Sequence, residues 1–86
     1  MRLPIIKHMV GFINTNDEDY LHETIATLEN LIEAPGLKDG ELDAIGELLS
    51  NMAGALEVHC MMKEGKTERE ALNAFMKRVM GSIDKQ

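Results

Sequence analysis

Apolar residues recur at helical spacing along nearly the whole chain, and no stretch alternates as a half-buried strand would. In "PIIKHMVGFI", Ile5, Ile6, Met9, Val10 and Ile13 line one side behind Pro4, a residue suited to a first helical turn. A short N-terminal helix is predicted there. A second helix is predicted from about Asp17 to Glu33, with Leu21, Thr24, Ile25, Leu28, Leu31 and Ile32 in one arc and Glu18, His22, Glu29 and Glu33 opposite. Its start has capping-box spacing in Thr15 with Glu18, or Asn16 with Asp19, and the acids Asp17, Glu18 and Asp19 suit the positive end of the helix dipole.

"APGLKDG" is the one clear loop, marked by Pro35-Gly36 and Asp39-Gly40. From Glu41 the pattern is helical again until Gly65. Leu42, Ile45, Leu49, Met52, Leu56 and His59 step by three and four, while Leu48, Ala55, Val58 and Met62 form a second row. Together these positions cover about 240° of the helix, where a surface helix needs a stripe of about 100°. The third helix is therefore predicted to be central. Gly46, Ser50 and Gly54 form a ridge of small residues on it, and each interior glycine costs about 1 kcal/mol relative to alanine. A closely approaching neighbour would offset that cost; the competing expectation is a break near Gly54. Gly65 suits a helix C-terminus, and Thr67 with Glu70 is the clearest capping box in the chain. A fourth helix, "EREALNAFMKRVMGSI", places Ala71, Leu72, Phe75, Met76, Val79, Met80 and Ile83 on one half of its circumference.

The expected fold is thus all-α: one domain spanning residues 1–86, a small bundle of three main helices and a short N-terminal one, packed around the long third helix. A length of 86 residues has room for one core, and a composition 44% hydrophobic and 28% charged is that of a globular chain. The net charge of −6 and the scattered distribution of nine Lys and Arg disfavour nucleic acid and anionic membranes as partners. No apolar run approaches the roughly 18 residues of a membrane span. The start "MRLPIIKHMVGFIN" is interrupted by Lys7 and His8 and precedes no small-residue cleavage site, so it reads as a helix and not a signal peptide. With a single cysteine, no intrachain disulfide can form, and a cytoplasmic location is expected.

Candidate chemistry is sparse. "NTNDEDY" has the alternating oxygens of a calcium loop but lacks its glycine, and its twelfth position is Ile25 instead of glutamate. "VHCMM" gathers His59, Cys60, Met61 and Met62, yet successive helical residues point about 100° apart and cannot converge on one ion. In projection Cys60 falls in line with Leu42, Leu49 and Ala53, and is expected to pack there as a buried thiol. His59 falls beside Met52 and Leu48, and Met61 on the polar side with Asp43 and Glu57. Glu18 and His22 stand four apart, but two ligands are not a site, and His22 is read as part of a solvated acidic face. No catalytic set, cofactor site or metal site is assigned, and an enzyme is not expected.

Seven methionines beside two Phe, one Tyr and no Trp are the least ordinary feature. Methionine fills irregular core gaps or lines adaptable binding surfaces. The stretches "RLPIIKH", "NDEDYLHETIATLENL", "LDAIGELLSNMAGALEV" and "EALNAFMKRVMGSID" resemble a family of short, uncharacterised all-helical bacterial proteins. That resemblance implies no catalytic residue; it implies an association with thioredoxin-like and peroxidase proteins. The expected function is a small non-enzymatic interaction module that self-associates or docks on a larger protein through a Met-lined apolar helical face. A homodimer through the third helix is expected, with Leu48, Ala55, Val58 and Met62 as interface residues. The alternative is a thiol-dependent redox accessory of thioredoxin-like or peroxidase partners, acting through Cys60.

Overall fold

The structure, a computed structural model, describes the backbone of residues 2–84 and the side chains of residues 2–79. Four helices follow in order: α1 (Leu3–Thr15), α2 (Asp19–Leu31), α3 (Asp39–Lys63) and α4 (Glu68–Asp84). Among the described residues there is no strand. The fold is the expected small all-α bundle. Helix α3 runs unbroken for 25 residues, and α1, α2 and α4 each pack chiefly against it. Met80 and Ile83, placed by periodicity on the apolar half of α4, lie outside the residues whose side chains are described.

Local chemistry explains most of the boundaries. Pro4 sits in the first turn of α1, where its missing N–H is not needed. At α4 the capping box forms as predicted: the Glu70 N–H donates to Thr67 Oγ1 at 3.1 Å, and the Thr67 N–H donates to Glu70 Oε1 at 2.9 Å. Gly65, at φ 112°, ends α3, with its N–H on the Met62 carbonyl and that of Lys66 on Met61. This is the left-handed, glycine-favouring termination expected there.

Two starts differ from expectation. Helix α2 is capped by neither Thr15 nor Asn16; Asp17 Oδ1 accepts the Asp19 N–H at 3.0 Å. The Thr15 hydroxyl instead donates back to the Gly11 and Phe12 carbonyls, which ties it to the end of α1. Helix α3 begins at Asp39, so Asp39-Gly40 belongs to its first turn and not to the loop. There the Lys38 N–H donates to Glu41 Oε1 at 2.9 Å, an acidic contact that also suits the helix dipole.

The core draws on every helix: Ile6, Val10 and Ile13 from α1, Leu21 from α2, Ala55 and Val58 from α3, and Ala71, Leu72 and Phe75 from α4. Gly54 is the close-packing position. A Cβ there would lie 3.0 Å from Phe75 Cζ and 3.1 Å from Ile6 Cδ1, so side chains of two helices fill the space a larger residue would need. At Gly46 a Cβ would meet nothing within 4 Å. Asn51 is the one buried polar residue among those described: its Oδ1 accepts the Arg2 N–H at 2.8 Å and its Nδ2 donates to the Glu47 carbonyl at 2.9 Å.

The molecule is flat, measuring 43 × 37 × 18 Å, or about two helix layers thick. Its radius of gyration is 14.1 Å, against about 12 Å for a compact chain of this length. Its surface area is 5985 Å², some 900 Å² above the roughly 5,100 Å² expected of a compact 9.6 kDa monomer.

Candidate functional site: an open apolar stripe on the central helix

Neighbours cover only part of α3. Ala55 and Val58 are 0% exposed and belong to the core, which corrects their expected place at an interface. Helix α1, with Ile6, Val10 and Ile13 in the same core, occupies the side of α3 that the sequence left open for association. Met62 packs against that core, and Leu48 alone of the four expected interface residues is exposed, at 44%.

The opposite side of α3 carries a second correction. Cys60 is exposed, as are Leu42 at 37%, Gly46 and Ala53, while Leu49 and Leu56 are half-buried. The projection that aligns Cys60 with Leu42, Leu49 and Ala53 is sound, but none of the described residues fully covers that line. The thiol is therefore open to solvent and not packed away. Met61 is the residue that turns inward, together with Met9, Met52, Met62 and Met76, all partly buried against the core. The described methionines thus fill the edges of the core. The large apolar side chains left exposed are Leu3 and Phe12 on α1, Tyr20 and Leu31 on α2, Ile32 just after it, and Leu42 and Leu48 on α3.

Charged groups flank the stripe in intrachain pairs. On one side the Arg78 guanidinium binds the Glu57 carboxylate. On the other, Glu18 Oε2 accepts a hydrogen bond from Lys63 Nζ at 3.1 Å, with His59 Nε2 3.2 Å from the same oxygen and His22 Nε2 3.7 Å from Oε1. The hydrogen bond from Lys63 holds the Glu18 carboxyl below its ordinary value, assisted by the positive charge of Lys63 and opposed by partial desolvation. Glu18 is thus no mere member of a solvated face. It fastens the first turn of α2 to the last turns of α3. His59 Nδ1 is buried without a hydrogen-bond partner among the described residues. No group of three or more His, Cys, Asp or Glu among the described residues is arranged to hold a metal ion.

The charges are also unevenly divided. Residues 17–50 hold ten acidic residues and one lysine, net −9, and the other 52 residues hold five acidic and eight basic residues, net +3. The division is one of sequence and not of space: Glu18 of the acidic stretch binds Lys63 at the end of α3, and Arg2 of the N-terminal segment binds Glu47. No helix among the described residues is long and apolar enough to cross a membrane.

Fold and surface together define a small all-α protein built on one central helix with an uncovered apolar line. The chain belongs to DUF6952, a family of unknown function whose model matches residues 1–84. No curated protein and no solved structure matches it.

Proposed function

We propose that this chain is a non-enzymatic interaction module whose α3 stripe is an association surface, and that its first partner is a second copy of itself. The observation that carries the reading is the line Leu42, Gly46, Leu49, Ala53, Leu56 and Cys60 on α3, exposed or half-buried along its whole length. Leu42 at 37% exposure, with the half-buried Leu49 and Leu56, supplies the apolar part such a surface requires, although Leu56 also packs in part against the core. The expected location on α3 is kept; the face is not, because Ala55 and Val58 are inside the core.

The exposure of Cys60 supports a second reading, a thiol-dependent accessory that pairs with a cysteine of a thioredoxin-like or peroxidase partner. Native mass measurement with and without reductant separates the two. A dimer that persists in reductant supports association through the stripe, whereas a dimer found only without reductant supports the thiol. A monomer under both conditions overturns self-association.

A further inference from the structure

Within the stripe, residue size alternates in strict order: Leu42, Gly46, Leu49, Ala53, Leu56, Cys60. The steps of four, three, four, three and four are those of a coiled-coil seam, with leucine at one seam position of each heptad and a small residue at the other. The stripe runs about 27 Å along the helix at 1.5 Å per residue. At Gly46 nothing lies within 4 Å of where a Cβ would be. Beside the seam, Glu57 and Lys63 are already engaged by Arg78 and Glu18, so the line between them is apolar.

We infer that a second copy seats its own α3 on this stripe in antiparallel orientation, about a twofold axis near the middle of the helix. The inference rests on the self-association proposed above and assigns its geometry. In an antiparallel pair the two seam positions face each other, so Leu42 meets Cys60 of the second copy, Gly46 meets its Leu56, and Leu49 meets its Ala53. Every layer then joins one leucine to one small residue, and the axes approach closely with no void. A parallel pair instead sets like against like, crowding leucines in one layer and leaving a glycine-to-glycine gap in the next.

Twofold symmetry repeats each contact, as closed dimers require.

The lone thiol makes the geometry readable. Leu42→Cys places a second thiol at the opposite end of the stripe, about 27 Å from Cys60 of the same chain at 1.5 Å per residue, far beyond the roughly 7 Å between Cα atoms that a disulfide spans. Mild oxidation of this variant is expected to give a covalent dimer, and Leu42→Cys combined with Cys60→Ser to give a several-fold lower yield. Wild-type protein, whose two Cys60 thiols lie at opposite ends of the pair, is expected to form little. Ready oxidation of wild type to a Cys60–Cys60 dimer overturns the antiparallel assignment. A dimer by sedimentation in which Leu42→Cys does not cross-link overturns the geometry while self-association stands. A monomer by sedimentation overturns both.

Discussion

The backbone N–H of Arg2 donates to Asn51 Oδ1 at 2.8 Å, which fastens the entry of α1 to the middle of α3. The same side chain donates to the Glu47 carbonyl, so both of its polar ends are satisfied although it is fully buried. Asn51→Ala removes both bonds and leaves their partners behind, at a cost of about 2 kcal/mol. Urea denaturation measures the loss. Amide exchange shows where it falls: the N–H groups of Ile5 and Ile6, which donate to the Arg2 carbonyl, lose protection before those of the C-terminal half of α3.

The glycines of α3 are expected to respond in opposite directions. Gly54→Ala forces a Cβ against Phe75 and Ile6, and its overpacking cost of roughly 1–3 kcal/mol exceeds the gain in helix propensity of about 1 kcal/mol. Gly46→Ala meets open space within its own chain, so the monomer gains up to about 1 kcal/mol. In the proposed dimer that methyl group faces a partner leucine, so association weakens. Thermal denaturation at low concentration reads the first effect, and sedimentation the second.

Two threonines separate capping from its imitation. Thr67→Ala removes the acceptor of the Glu70 N–H and should cost about 1 kcal/mol. Thr15→Ala should have a much smaller effect on α2, because Asp17 caps that helix. Parallel denaturation curves of the two variants decide it; equal losses contradict the assignment.

Acid should loosen the hold of α2 on α3. Glu18 has its carboxyl pKa lowered from 4.5, chiefly by the hydrogen bond from Lys63. Between the ordinary and the lowered value the unfolded chain binds more protons than the folded one, so stability rises with pH. This contribution is complete above 4.5 and is lost as pH falls through the folded value. Glu18→Gln should flatten the acid limb of the stability profile. An unaltered acid limb would show that the pair contributes nothing.

Local signals accounted for much of this architecture. Periodicity placed four helices, Pro4 and Gly65 marked two ends, and the Thr67–Glu70 pair needed only three residues of separation to be recognised. What escaped was the assignment of neighbours. A helix apolar over most of its circumference does not reveal which sector meets α1, so Ala55 and Val58 read as surface and Cys60 as core. The Glu18–His59 approach joins residues 41 apart, and no local pattern announces it. The alternation of leucine with small residues from Leu42 to Cys60 was present in the sequence; its meaning depended on knowing that this line is left uncovered.

Sedimentation equilibrium in reductant, at micromolar concentration, tests the association surface most directly when wild type is compared with Leu49→Glu. Wild type is expected at twice 9.6 kDa, and the variant, which would bury a carboxylate opposite a partner alanine, at 9.6 kDa with its helical content intact. Wild type at 9.6 kDa throughout, or a variant that dimerises as well as wild type, would contradict the proposal that the α3 stripe joins two copies of the chain.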